Sequence, residues 1–300
     1  KTVMMYSPAG SLAYYSMGNG KLKQKLQVIQ GLTSVVSFNN DLFLAGLKDN
    51  HIYVIYAMNG KTVASIPVTN AILLTSNTDT DLYYLEYDGK NNYTLKMLEN
   101  MENKTVSNPH IVKTFFGPRS NAQIVTGCKY YTQLVLGGKD GSIYKTEAEP
   151  SSTTESLKPM TENIYSKILD TETINGEFYF LTQNSIYKSS FDTGIVDKIA
   201  STNGETNITA FKNNLVLWSK GTRNTVKYLD LSTKAKSDLF TPKANVQVLR
   251  AFEDKIVEIE NNSVVNIYNH GEKSLKECWT GSGWRGPPHR PRIRNRGRSS

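Results

Sequence analysis

Four histidines and two cysteines are the side chains of this sequence best suited to proton transfer, nucleophilic attack or metal binding: His51, His110, His270, His289, Cys128 and Cys278. Cys128 with His110 or His270 would make a thiolate–imidazole pair, but nothing in the spacing supports one. His51 follows a turn and reads as an exposed turn residue. Asp79-Thr80-Asp81 and Lys139-Asp140-Gly141 offer carboxylates of the kind calcium takes, yet neither run reaches the ligand count of a loop site. There is no Gly-rich loop ending in Gly-Lys-Ser/Thr, no Gly-X-Ser-X-Gly and no His-Glu-X-X-His. The expectation is a protein that is not an enzyme, with no catalytic residue, no metal and no cofactor. Two cysteines in 300 residues make no disulfide framework and read as free thiols of a reducing compartment.

The elements that must position any functional side chain recur. Seven times, a polar turn is followed by a short run rich in Ile, Val and Tyr: at Leu12, Ile52, Tyr93, Ile143, Ile186, Val226 and Val264. These starts lie 40, 41, 50, 43, 40 and 38 residues apart. A period near 40 with several short strands per repeat predicts an all-β fold, a seven-bladed β-propeller of four-stranded antiparallel blades. The second repeat shows the plan. Leu32–Phe38, Leu42–Gly46, Ile52–Tyr56 and Val63–Pro67 are four strands, separated by Asn39-Asn40-Asp41, Lys48-Asp49-Asn50 and Asn59-Gly60-Lys61. Asn, Asp and Gly tolerate the positive φ that tight hairpins need.

The ends and the long spacings make finer predictions. Residues 3–30 supply three strands, near Val3–Tyr6, Leu12–Tyr15 and Leu26–Gln30. The missing strand comes from upstream residues, from the segment near Leu275–Trp279, or from nowhere. The extra length of the longer repeats falls in Glu99–Gly117 and Glu147–Glu162, which read as loops bulging from the disc.

Leu136-Gly137-Gly138-Lys139-Asp140-Gly141-Ser142-Ile143 resembles the small-residue, Asp-Gly, Ile stretch of the WD-repeat β-propeller family. Ala45-Gly46-Leu47-Lys48-Asp49-Asn50-His51-Ile52 is a second such match, and Leu229-Asp230-Leu231-Ser232-Thr233-Lys234 resembles the strand end where that family places Trp-Asp. No Trp-Asp dipeptide or Gly-His pair occurs, so the chain is similar to a divergent member. Ile55–Lys61 also resembles propellers of quinoprotein type. The WD-repeat resemblance implies a scaffold on which partners dock at the loops between second and third strands: Lys48–Asn50, Lys139–Gly141, Gln183–Asn184, Ser219–Asn224 and Asn261–Asn262. The candidate partner-binding residues are therefore Lys48, Asp49, Asn50, Lys139, Asp140, Lys220 and Arg223. Their basic cast suits an acidic peptide or helix. Trp218, in an apolar strand, reads as core.

Charge is unevenly placed. The net charge is +8, but six of the nine arginines lie in residues 285–300, and without them the balance is +2. That tail has no Lys and no acid and carries Pro287, Pro288 and Pro291. It cannot bury a core and reads as disordered, foreign to the domain. The expected boundaries are a propeller over 1–279 and an Arg/Pro/Gly-rich tail over 280–300. No apolar window is long enough for a membrane helix. The leading expectation is a non-enzymatic scaffold in a larger intracellular complex, cytoplasmic or nuclear. One alternative is a nucleic-acid-binding propeller of an RNA-processing complex, acting through the basic tail. The other is a secreted or lumenal ligand-binding propeller, for which the Asn-X-Ser/Thr triplets at Asn92, Asn103, Asn207 and Asn261 speak.

Overall fold

The structure is a computed structural model. It describes residues 2–76, 80–99, 108–118, 123–151, 154–160, 166–190, 196–252, 254–261, 264–270 and 275–282. The fold is all-β, a seven-bladed propeller with mostly four-stranded antiparallel blades. Residues Lys1–Gly204 form one compact unit with five sheets, and Glu205–Ser300 form a second with two.

In the first unit, β1 (Thr2–Ser7), β2 (Ser11–Ser16) and β3 (Leu22–Gln27) make a three-stranded sheet. β4 (Thr33–Phe38), β5 (Phe43–Lys48), β6 (His51–Tyr56) and β7 (Thr62–Pro67) make the second sheet, as the sequence predicts. β8 (Ala71–Leu73) opens the third sheet, and β9 (Thr75–Ser76) leaves it to pair in parallel with the fourth. β10 (Leu82–Tyr87), β11 (Asn92–Leu98) and β12 (His110–Phe116) complete the third meander. β13 (Ile124–Tyr130), β14 (Gln133–Gly138) and β15 (Ile143–Glu147) form the fourth. β16 (Glu155–Ser156) then returns to β12 in parallel, while β17 (Lys158–Pro159) pairs with β15. β18 (Ile168–Ile174), β19 (Glu177–Thr182), β20 (Ser185–Ser190) and β21 (Val196–Ser201) are the fifth sheet.

The second unit contains β22 (Asn207–Phe211), β23 (Asn214–Trp218), β24 (Val226–Leu229) and β25 (Lys236–Phe240). Its other sheet is β26 (Val246–Phe252), β27 (Lys255–Glu260), β28 (Val264–His270) and β29 (Leu275–Ser282).

Two predictions need correction, and one alternative is removed. The third strand of the first sheet is Leu22–Gln27, not Leu26–Gln30, because the turn at Gly18-Asn19-Gly20 closes immediately before it. Glu99–Gly117 and Glu147–Glu162 are not simple loops: the first contains β12, and the second contains β16 and β17. β16 and β17 are hidden by two-residue length and polar composition, whereas β12, His-Ile-Val-Lys-Thr-Phe-Phe, carries an apolar strand signal inside the long spacing. Of the three sources offered for the missing strand of the first sheet, the segment near Leu275–Trp279 is removed, since Leu275–Ser282 pairs along β28.

The core is built sheet against sheet. Leu12, Val28, Leu32, Leu44 and Ile55 join the first two sheets, and Phe43, Ile52, Leu73 and Tyr84 the next pair. Tyr93, Phe115, Leu134 and Tyr144 join the third to the fourth, and Val135, Ile168 and Phe180 the fourth to the fifth. In the second unit, Trp218, Val226, Leu249 and Tyr268 share one cluster. The second strands are the most buried, which is why they read as unbroken apolar runs.

Tyrosine hydroxyls bind neighbouring sheets together. Leu32 N donates to Tyr6 Oη at 3.0 Å, and Tyr6 Oη donates to Ile29 O at 3.2 Å. Ile124 N donates to Tyr93 Oη at 3.0 Å, linking the third sheet to the fourth. At these positions the ring packs against the sheet, fully buried for Tyr93 and half-buried for Tyr6, and the hydroxyl satisfies a backbone group at a sheet boundary.

One irregularity repeats. In six sheets the ladder between the last two strands of the antiparallel meander skips one residue of the last: Lys23, Val63, Val112, Ile199, Leu239 or Cys278. Such bulges raise the local right-handed twist. Their recurrence at one position makes the outer edge of each blade turn in the same way.

Candidate functional site

The turns between second and third strands carry the candidate residues. At β5–β6, Lys48 pairs with His51 across a two-residue loop. Asp49 and Asn50 have φ of 49° and 57°, the consecutive positive values of a type I′ hairpin. Val68 N donates to Asn50 O at 2.9 Å, tying the turn to the end of β7, and His51 Nδ1 lies 2.9 Å from Asp49 O. Asp49 and Asn50 are exposed and Lys48 is half-buried.

At β14–β15 the loop is closed by its own carboxylate. Ser142 N and Ser142 Oγ donate to Asp140 at 2.9 and 3.1 Å. Gly141 has φ of 86°, and a Cβ placed there would come within 2.4 Å of Lys167 Cγ. Ile168 N donates to Gly141 O at 3.2 Å, so this turn docks onto the entry of the fifth sheet. Lys139, Asp140 and Lys167 are exposed. Lys167 is a cation that sequence reading missed, because its place beside Gly141 is a contact across 26 residues.

In the second unit, the β23–β24 turn is held similarly. Gly221 N donates to Val246 O at 2.6 Å, and Val246 N to Thr222 O at 2.8 Å. Lys220 N donates to Thr206 Oγ1 at 3.2 Å and to Asn207 Oδ1 at 3.3 Å. The Lys220 and Arg223 side chains are exposed. Lys48, Asp49, Asn50, Lys139 and Asp140 thus lie in the first unit, and Lys220 and Arg223 in the second, each at the same topological turn.

Two cavities of about 260 and 310 Å³ lie along β13 and β18, and Thr75, Cys128 and Thr171 line both. Burial pushes the Cys128 thiol up to about 11, with Glu172 adding to the shift, so the thiolate nucleophile is scarce at neutral pH. No histidine lines either cavity. His110 instead faces Glu99 at 3.5 Å, and the side chain of Cys278 lies outside the described residues. Among the described residues, no group of three or more His, Cys, Asp or Glu is placed to hold a metal ion. Asp79 and the arginines of the tail lie outside the described residues. Trp218 is 3% exposed, a core residue.

The sequons differ in availability. Asn92 Nδ2, the atom a glycan would take, donates to Asp88 Oδ2 at 2.7 Å. Asn207 Oδ1 accepts from Thr206 Oγ1 at 2.8 Å, Asn261 is exposed, and Asn103 lies outside the described residues. No helix among the described residues is long and apolar enough to cross a membrane.

Known proteins share this architecture. The chain is 19% identical over 268 residues to an uncharacterized protein of Treponema pallidum (strain Nichols), covering 89% of this chain and 42% of that one. The chain thus spans less than half the length of that relative. The Myceliophteria thermophila Cps50 (Swd1) β-propeller domain superposes with a TM-score of 0.64 at 10% identity, over 90% of this chain and 93% of that one. The Neurospora crassa Pan2 WD40 domain does so at 0.60 and 9%, over 87% and 82%. At these identities the likeness is one of fold. The family model described as "N-terminal beta-propeller domain" matches residues 1–156, more than half of the chain, and the chain belongs to that family.

Proposed function

We propose that this propeller is a non-enzymatic platform for protein–protein contacts within a larger intracellular assembly. Its second-to-third-strand turns receive acidic peptide or helix segments. The observation that carries this reading is how those turns are built. Their backbone groups are bound into the fold at Asn50, Gly141 and Gly221, while Lys139, Lys220 and Arg223 project outward. A rigid turn that holds an exposed cation loses little entropy when an acidic partner binds. Asp49 and Asp140 set the turn conformation and Lys48 supports its flank. Residues 1–279 are read as the interacting domain and 280–300 as a tail without a vote in it. The WD40-type neighbours add fold-level support by analogy.

The test is affinity capture from native extract with the chain, analysed by mass spectrometry, beside Lys139→Glu and the pair Lys220→Glu/Arg223→Glu. A nuclease-resistant set of proteins should be recovered, reduced roughly three- to tenfold by charge reversal and by added salt. Equal recovery by the reversed variants would sink the site. Recovery that vanishes with nuclease would move the function to nucleic acid and the tail.

A further inference from the structure

The larger of the two cavities along β13 and β18, about 310 Å³, carries chemistry that the basic turns do not use. One wall comes from β9, the two-residue strand that leaves the third sheet and pairs Thr75 with Cys128 and Ser76 with Lys129. A second wall is β18, with Thr171, Glu172 and Thr173. The aromatic surface is Tyr130 and the buried Phe178. A volume of this size falls at the lower end of the range for small-molecule sites.

The polar surface is mostly hydroxyl. Thr75, Ser76, Thr171 and Thr173 each carry a group that both donates and accepts. Among the described residues, the side chains of Thr75, Thr171 and Thr173 form no hydrogen bond within the chain. The two charges of the lining cancel. Lys129 is buried, donates to Tyr131 O at 2.6 Å and lies 4.8 Å over the Tyr83 ring, and Glu172 opposes it in sign. Such a lining suits an uncharged ligand rich in hydroxyls. The aromatic surface beside it suits the C–H face of a sugar ring.

The turn after β13 adds an independent sign. Tyr131 has φ of 51°, a left-handed value that is costly for a bulky side chain. Among the described residues it is the one aromatic at positive φ; the others are Asn, Asp, Ser, Lys and Gly. Its ring is 61% exposed and meets the Tyr130 ring edge to face at 4.7 Å. An exposed ring adds little to the core, and Asn would take the same backbone at lower cost. The strained turn extends the aromatic surface of Tyr130 toward solvent.

We propose that this cavity binds a carbohydrate: a pyranose ring whose hydroxyls meet Thr75, Ser76, Thr171 and Thr173 and whose C–H face packs on Tyr130, with Tyr131 widening that platform. No basic turn residue lines the cavity, so this site stands or falls apart from the acidic-partner reading.

The experiment is a ligand-observed saturation-transfer NMR titration with the full 300-residue chain. One arm uses D-glucose, D-galactose, D-mannose and N-acetyl-D-glucosamine. A second uses maltotetraose and chitotetraose, which separates a free sugar from a glycan chain. Choline serves as a cationic control. At least one sugar should bind with a dissociation constant of about 10 mM or below, and choline should not. Thr171→Val should weaken that sugar about tenfold, and Thr171→Ser should restore it. Tyr131→Asn should also weaken it about tenfold, yet raise the urea midpoint of unfolding. No transfer to any of the six sugars would overturn the proposal, as would binding unchanged by Thr171→Val or choline binding more tightly than every sugar. A lower midpoint for Tyr131→Asn with unchanged affinity would overturn the role given to its ring.

Discussion

Two junctions between successive blades solve one packing problem differently. Between the sixth and seventh sheets, whose third strands begin 38 residues apart, the contact is nearly all apolar. A side-chain polar line within it runs from Trp218 Nε1 to Thr209 Oγ1 at 3.1 Å and from Thr209 Oγ1 to Leu249 O at 3.3 Å. Between the third and fourth sheets, whose third strands begin 51 apart, an apolar cluster is joined by a buried charge. The Lys113 side chain is 1% exposed, and its Nζ donates to Glu147 O at 3.0 Å and meets Glu155 Oε2 at 3.3 Å. Glu155 arrives on β16, the short parallel strand formed by the extra chain length. The compact repeat is joined by apolar packing, one hydroxyl and the backbone bonds of the Gly221-Thr222 turn to Val246. A repeat with an insertion must fix the insertion, and a buried ammonium requires its partner to stay in one place.

The largest effect that would test this contrast is at the apolar junction. Trp218→Ala should cost about 3–5 kcal/mol, from lost transfer energy and the cavity left behind. Denaturant unfolding reads it, and a cost near that of a surface change would refute the role given to the indole. The ionic junction comes next. Glu155→Ala strands Lys113 among buried groups, but Glu155 is half exposed and water screens the pair, so about 1–2 kcal/mol is expected. Lys113→Met combined with Glu155→Gln should recover most of that loss; if it does not, the pair stabilises the insertion as well as placing it. Thr209→Val leaves the Trp218 N–H without its acceptor and should cost about 1 kcal/mol, independent of salt, whereas the Glu155 effect should shrink as salt is added.

The smallest effect lies in an exposed turn. The side-chain bond from Asn92, followed by backbone bonds from Lys90, Asn92 and Asn91, holds the Asp88 carboxyl down at about 2. A depressed carboxylate pKa contributes stability that is present above its unfolded value near 3.8 and lost as pH falls through the folded value. The turn should therefore loosen between about pH 4 and pH 2, followed by carboxyl NMR titration, and Asp88→Asn should remove that dependence.

Much of the blade plan was legible because its signals are local. Phe43–Lys48 and His51–Tyr56 announce themselves as apolar runs joined by Asp49-Asn50, whose tolerance of positive φ makes the hairpin. The candidate turns are legible for the same reason, and Asp140 closes its loop with a carboxylate two residues from the amide it accepts. Leu22–Gln27 and Glu155–Ser156 are not legible, since exposed polar strands carry no period that separates them from loops. Nor is Lys167, whose relation to Gly141 exists only once the fifth sheet has docked.

The sequence by itself determined the all-β class, the seven repeats and the tight turns, because those rest on hydrophobic runs and φ preferences acting within a few residues. The tertiary structure alone decided that Leu275–Ser282 completes the last blade rather than the first, and that β9 and β16 cross to neighbouring sheets. Backbone hydrogen bonds carry no residue identity, so which edge a polar strand joins depends on which edges the packed sheets leave within reach.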